Sequence, residues 1–362
     1  MTDAQWEVFS YQGVIAAAVL YFLAMLAYFF QLAGLRTVGR AEPVAAGVGV
    51  GAGRGTESVG AGPSTGPSTG PSTGAADGGR RTEVAARLGL VLTVFAVLVH
   101  LVALVARGLA ADPNRVPWGN MYEFTISGTF VVALIFVLAT LRLDIEWLGP
   151  LVTTFVVAAL MAAFLGLDDA LLPLPDALNS PWLVIHVVSA VIATGAFTIG
   201  ALLSGLYLVK ARSSATTGYL ARVPEPKVLD RLSYRMHAFG FPVWTFAVLI
   251  TGPIWAHQAW GAYWNWDPKE VWAFITWVVY AAYLHARATA GWRGRNAAIL
   301  ALVGAATLWF NFIGINFFSS TSQHSYAEGA APETSVVVGV ARTVESAEEV
   351  GVVVGSDHPR AR

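Results

Sequence analysis

The chain of 362 residues contains no cysteine. In a protein facing an oxidising compartment, this excludes a structural disulfide, thiol–disulfide exchange and a thioether link to a prosthetic group. Charge is also scarce. Asp, Glu, Lys and Arg make up 12% of residues, about half the share usual in soluble proteins. The formal net charge is -1, and without a basic patch a nucleic-acid partner is not expected. The first apolar run lacks a basic leader and a small-residue cleavage site, so it reads as a retained span, not a cleaved signal. Few acids interrupt the apolar runs, and no paired Gly/Pro-broken segments recur in matching halves, as a transporter of that design requires.

What is abundant is apolar sequence, 56% of the chain. Runs near 20 residues recur, long enough to cross a hydrocarbon core of about 30 Å. Eight spans are expected: 12–33, 85–107, 121–141, 147–166, 182–209, 236–256, 270–286 and 297–317. The expected fold class is an all-α integral membrane protein, a polytopic bundle of about eight transmembrane helices. Residues 1–33 form its first helix and 85–326 a seven-helix domain. Between them, 34–84 reads as a flexible linker, Gly/Ala/Pro/Ser/Thr-rich with Gly-Pro-Ser-Thr three times over from Gly62 to Thr73. Residues 327–362 read as a disordered external tail, with His358 exposed in it. If the linker is cytoplasmic, 16 of the 22 basic residues lie in or beside cytoplasmic segments. The positive-inside rule then places both termini outside the cell membrane.

One stretch stands apart. From Ile254 to Trp277, 24 residues hold six of the 13 tryptophans: Trp255, Trp260, Trp264, Trp266, Trp272 and Trp277. Tryptophans at span ends also form ordinary aromatic belts, and Asp267-Pro268-Lys269-Glu270 is a good helix start with Asp as N-cap. The density in the short external connection Gln258–Asp267, with Tyr263 among the indoles, nevertheless suits a large planar ligand.

The string W-G-A-Y-W-N-W-D-P-K-E-V-W resembles the tryptophan-rich WWD signature of haem-handling membrane proteins of cytochrome c assembly. With Y-L-H-A-R shortly after, it is similar to the CcsA/ResC branch, system II. Further matching strings are Trp118-Gly-Asn-Met-Tyr-Glu-Phe124, Pro181-Trp-Leu-Val-Ile-His186, Asp230-Arg-Leu-Ser-Tyr-Arg235, Gly240-Phe-Pro242 and His324-Ser-Tyr326. The resemblance covers residues 85 to 326. It implies haem binding (haem b as transported substrate) and presentation at the extracytoplasmic face. It further implies attachment to the C-x-x-C-H thiols of an apocytochrome c, and a component of a haem lyase complex with a ResB-type membrane partner. The implied pocket is Trp260, Trp264, Trp266 and Asp267, with His186 and His324 on the iron.

Depth sorts the histidines, because neutral imidazole is the usual nitrogen ligand of iron. His186 follows Pro181 by five residues, about 7–8 Å along a helix, which puts it at the outer interface. His324 falls just beyond the outer end of span eight. His100, His237 and His285 lie in or at the inner edge of spans, where ionisable residues are functional candidates. His285 carries the resemblance and is the expected ligand near haem entry; His100 is expected to be a hydrogen-bonded neutral imidazole, and His257 ranks low. In the outer segment before span three, Trp118 and Tyr122 could extend the aromatic surface, while Glu123 also suits a helix start electrostatically. The alternative function is a b-type electron-transfer subunit, which needs facing histidine pairs within the membrane; His100, His237 and His285 could supply one.

Overall fold

The computed structural model describes residues 1–38, 73–167, 180–215, 218–319 and 322. Residues 39–72 of the expected linker, the acidic loop with Asp168, Asp169 and Asp176, His324, His358 and the expected tail lie outside the described residues.

The described chain is helical, without a strand. In order it forms α1 (Asp3–Val38), α2 (Thr73–Ala110), α3 (Met121–Thr140), α4 (Gly149–Gly166), α5 (Pro181–Ala211), the short α6 (Tyr219–Arg222), α7 (Pro226–Thr245), α8 (Gly252–Trp260), α9 (Pro268–Ala288), α10 (Arg295–Trp309) and α11 (Ile315–Phe318). Thus both ends of the 34–84 segment are helix, at the close of α1 and the start of α2. Two π-helical segments, Phe246–Thr251 and Phe310–Gly314, join α7 to α8 and α10 to α11 without breaking the rod.

Among the described residues, seven helical stretches are long and apolar enough to cross a membrane: Asp3–Leu32, Arg80–Ala110, Met121–Thr140, Glu146–Gly166, Pro181–Ala211, Pro226–Trp260 and Arg295–Phe318. The remaining expected span, 270–286, lies within α9. Its 21 residues measure about 31 Å, but Trp, Tyr, His and Arg side chains lower its hydropathy. Large apolar residues such as Phe22, Phe30, Phe95 and Leu98 point outward, as expected where lipid is the solvent.

In lipid, apolar contact alone does not drive helix pairing, so close approach at small residues matters. α1 and α2 pair antiparallel along buried Ala17, Ala24, Ala96 and Ala103. Ser10 Oγ donates to the Ala103 carbonyl at 2.8 Å. Farther along the bundle α5, α7 and α9 meet at aromatic rings. Phe197 stacks on Tyr280 at 3.8 Å, and His237 lies against Phe197, Tyr280 and Tyr283.

Each end of the bundle is fastened by ions. At the tryptophan end, Glu123 in the first turn of α3 is fully buried. It accepts from Arg107 Nε at 3.0 Å, Arg115 Nη1 at 2.7 Å and the Gly119 N–H at 2.6 Å. Arg107 also reaches Glu7 of α1 at 3.6 Å. The carboxylate therefore ties α1, α2 and the α2–α3 loop to α3. At the opposite end Arg287 grips Asp230 with two bonds, 2.7 and 3.0 Å, and Gly294 N–H adds a third at 3.1 Å. This contact joins α7 to α9 and the turn before α10.

Removing one member of a buried ion cluster strands the others, at a cost of about 3–5 kcal/mol. Glu123→Ala is therefore expected to lower the thermal unfolding midpoint in detergent strongly, and Glu123→Gln less so. An unchanged midpoint for the alanine variant refutes this role.

Candidate functional site

The site grows from the way α5 starts. Ser180 is its N-cap, accepting from the Trp182 N–H at 3.2 Å, and Pro181 takes the first helical position. Ser180 Oγ also meets Gln258 of α8 at 2.8 Å, which ties the two helix ends together. His186 then falls about one and a half turns inside α5, opposite the first π segment.

A π turn changes the backbone pairing so that Gly252 N–H reaches the Ala247 carbonyl. That same oxygen accepts from Thr251 Oγ1 at 3.1 Å and meets His186 Nδ1 at 2.9 Å. Because a carbonyl can only accept, Nδ1 carries the proton and the ring lone pair lies on Nε2. This is the tautomer that metal-binding histidines adopt. The imidazole stacks on Trp255, centroids 6.1 Å apart and planes 12° from parallel. Gly252 permits that approach, since a Cβ there lies 3.1 Å from both Ala247 O and His186 Cε1.

His186 and Trp255 form part of the wall of one large cavity at the tryptophan end, about 1450 Å³ of space between atoms counted out to its open mouth. Other walls come from Phe124 and Val132 of α3, Phe155 of α4, Trp244 of α7, Tyr263 and Trp264 of the loop, and Trp309 and Phe312 of the last helical rod. The lining is aromatic and aliphatic, with Lys269 and Glu270 its charged members.

The loop from α8 to α9 is fixed at three points. Gly261, at φ 76°, turns the chain out of α8. Asp267, only 4% exposed, caps α9: Oδ1 accepts from the Lys269 N–H at 2.8 Å and from Ser322 Oγ at 2.9 Å. Glu270 completes a capping box, its Oε2 accepting from the N–H groups of Asn265 at 2.9 Å and Asp267 at 3.2 Å. Between these two anchors Trp266 sits at φ 56°, a left-handed conformation that costs a non-glycine residue about 1–2 kcal/mol. Its indole is 78% exposed and meets Trp264 edge-on at 5.9 Å.

The expected site residues therefore separate. His186 and Trp264 line the cavity. Trp260 supports the wall from behind, edge-on to Trp255 at 4.8 Å. Trp266 stands at the surface, outside the cavity lining, and Asp267 serves as cap and as anchor for Ser322. His285 is exposed near the opposite end of α9, about 24 Å along the helix from Lys269. Trp118 and Tyr122 do not extend an exposed aromatic surface. Trp118 is buried with Leu183, Val187 and Trp255, and Tyr122 beneath Arg107, 5.4 Å from its guanidinium. His257 is exposed and stacks on Tyr263 at 4.3 Å. The buried histidines lie in different aromatic clusters, His100 against Tyr21 and Phe130, His237 against Phe197, Tyr280 and Tyr283. His100 is wholly buried, with the backbone of Ile126 as a polar neighbour.

Lys269 is the cavity residue that the reading of helix starts left as a mere part of α9. It precedes the span expected at 270–286, and burial pushes its ammonium down to about 7 against the opposing pull of Asp267. Its Nζ donates to Asn316 Oδ1 of α11 at 3.0 Å. Asn316 in turn reaches Met121 Sδ at 2.8 Å, so the lysine head is held where α3, α9 and α11 converge.

The described residues form an all-helical polytopic membrane protein with an aromatic cavity at one end, walled in part by a histidine whose Nδ1 carries the proton. Residues 118–322 match the family model described as Cytochrome C assembly protein. The chain is 33% identical over 304 residues to the cytochrome c biogenesis protein CcsA of Gloeobacter violaceus, covering 68% of this chain and 88% of that protein. The CcsA of Synechococcus sp. (strain JA-3-3Ab) is 32% identical over 304 residues, covering 68% and 87%. That of Chlamydomonas reinhardtii is 44% identical over 156 residues, 42% of this chain and 43% of the other. The fold is shared with a solved structure, the cytochrome c haem lyase CcmF, at TM-score 0.55 and 16% identity. The match covers 87% of this chain, which spans about half (49%) of that one. The chain belongs to the cytochrome c assembly protein family, as a CcsA-type member.

The strain at Trp266 supplies a test of the loop. Glycine removes the left-handed penalty while the bonds on either side persist, so Trp266→Gly is expected to leave thermal stability unchanged or raised by up to about 1 kcal/mol. A clear loss of stability shows that the exposed indole holds the loop together.

Proposed function

We propose that this chain takes haem b as its transported substrate into the aromatic cavity, with His186 as one axial ligand. It presents the haem at the extracytoplasmic face of the plasma membrane for attachment to apocytochrome c. The observation that carries the reading is the imidazole of His186, stacked on Trp255 in the cavity wall with its Nδ1 proton fixed by the Ala247 carbonyl. The residues fit the group: flat indole faces for a macrocycle and a nitrogen lone pair for iron. His324 is the proposed second ligand. It lies two residues after Ser322 in the sequence.

The attachment adds a cysteine S–H of the apocytochrome across each haem vinyl C=C, so no atom is lost. The chain itself has no cysteine, and its residues contribute binding, orientation and exclusion of water. A ResB-type membrane partner completes the proposed machinery. The excess of Lys and Arg at the opposite end supports an extracytoplasmic cavity. His285 there is the proposed contact at haem entry.

Replacing an axial histidine by glycine leaves a gap the size of imidazole beside the iron. His186→Gly is expected to lose most bound haem and its parent spectrum, and added imidazole to restore part of both spectrum and cytochrome c formation. Retention of the parent spectrum by His186→Gly removes this histidine from the iron.

Orientation is checked separately, because any introduced cysteine is the only one. Asn265→Cys, exposed in the tryptophan loop, is expected to react with a membrane-impermeant thiol reagent in intact cells. Asp144→Cys, exposed after α3 at the opposite end, is expected to stay shielded until the membrane is opened. The reverse pattern defeats an extracytoplasmic site.

A further inference from the structure

We propose that the start of α7 and the turn before α10 together bind the headgroups of anionic phospholipids. This surface lies at the end of the bundle opposite the cavity and does not depend on what the cavity holds. In α7, Lys227, Arg231 and Arg235 recur every fourth residue. At 100° and 1.5 Å per residue they fall on one face of the helix, within about 80° and over about 12 Å. All three are exposed, as are Arg293 and Arg295 on either side of Gly294. Asp230 joins the two groups. It precedes Arg231 in α7 and accepts from the Gly294 N–H at 3.1 Å, which holds the turn with Arg293 and Arg295 against the helix.

The same contact takes up the acid that would neutralise the patch. Both carboxylate oxygens of Asp230 accept from Arg287, at 2.7 and 3.0 Å. Among the described residues none of the five outer cations forms an ion pair. Glu225, exposed just before α7, leaves a large positive excess. Such an excess at one end of a membrane protein sets orientation, but orientation requires neither regular spacing nor unpaired charges. What stands beside the cations selects the occupant. Val228, Tyr234 and Phe239 of α7, Trp292 of the turn and Ile299 of α10 are exposed and interleave with them. The rod that begins with α7 runs on as a span, Pro226–Trp260. Cations at the start of a span, bordered by apolar side chains and an exposed indole, lie at headgroup depth. A soluble anion would leave that apolar border in water. An anionic phospholipid satisfies both parts: the cations bond its phosphate oxygens, and its acyl chains cover the neighbouring side chains.

The test follows the thermal midpoint of the purified full chain in detergent, by tryptophan fluorescence, during titration with three probes. They are dioctanoylphosphatidylglycerol, dioctanoylphosphatidylcholine and inorganic phosphate. The glycerol lipid is expected to stabilise at concentrations about tenfold or more below those the choline lipid needs. Removing three charges together, by Lys227→Gln, Arg231→Gln and Arg235→Gln, is expected to abolish that preference. Exchanging the cations, by Lys227→Arg, Arg231→Lys and Arg235→Lys, is expected to keep it. So is the loss of three other exposed charges at the same end, by Arg80→Gln, Arg142→Gln and Arg212→Gln. Equal responses of the parent to the two lipids overturn the proposal, and need no variant to fold. A preference that survives the first triple substitution, or falls equally in the control triple, also overturns it. Phosphate acting as strongly as the glycerol lipid overturns it in favour of a soluble anion.

Discussion

The contact on which the site depends is the one between the Ala247 carbonyl and His186. A helix buried in lipid has no water to satisfy its backbone, so nearly all its carbonyls are committed within the helix. Here the π turn lets one oxygen serve a backbone N–H, a threonine hydroxyl and the imidazole together. The histidine's Nδ1 proton is thereby directed at an atom of the neighbouring helix. The stack on Trp255 and the missing side chain at Gly252 follow from that contact, because both are set by where the ring must lie.

Around this point the aromatic residues divide into three kinds of work. Trp118, Trp255 and Trp260 form a buried backing that makes the wall rigid. Trp264 with Phe124, Trp309 and Phe312 offers surface inside the cavity. Trp266 stands outside in a conformation held open by the flanking bonds to Glu270. Trp272 and Trp277 belong to none of these groups. They pack α9 through Phe310 at 4.2 Å and through a bond to Thr245 at 2.9 Å. High tryptophan density thus reflects both a ligand surface and the frame that stiffens it.

Much of the helical order was legible in the sequence, because apolar runs of spanning length need no partner to be recognised. The start of α9 was legible too, with Asp267 as its cap, whereas the caps Asn120 and Ser180 of α3 and α5 came only from the structure. α9 shows why the hydropathy signal weakens: its aromatic and polar residues serve neighbouring helices and the cavity, and each of them lowers apolarity. The cavity wall was readable only where a motif marked it, at His186 and Trp264. Trp309 and Phe312 carry no local signature, since a phenylalanine in a span looks the same facing lipid or ligand. Lys269 was hidden by a sufficient local explanation, membership of a good helix start. Asp267 shows the converse, since the cap explains its burial and bonds without any ligand. Neither π segment has a sequence signal of this kind; their register is settled by the tertiary contacts they serve.

Those π segments make chain length itself a determinant of the site. Each holds one residue more per turn than an α-helix would, and each adjoins the cavity, through Val248 and Gly252 in one rod and through Asn311 and Phe312 in the other. Loss of a single residue from Phe246–Thr251 would let the rod relax to α geometry with its hydropathy almost unaltered. Everything beyond the deletion would then rotate by about 100°, carrying Trp255 off the imidazole. A one-residue deletion that leaves the apolar length of the rod almost unaltered is therefore enough to dismantle the wall.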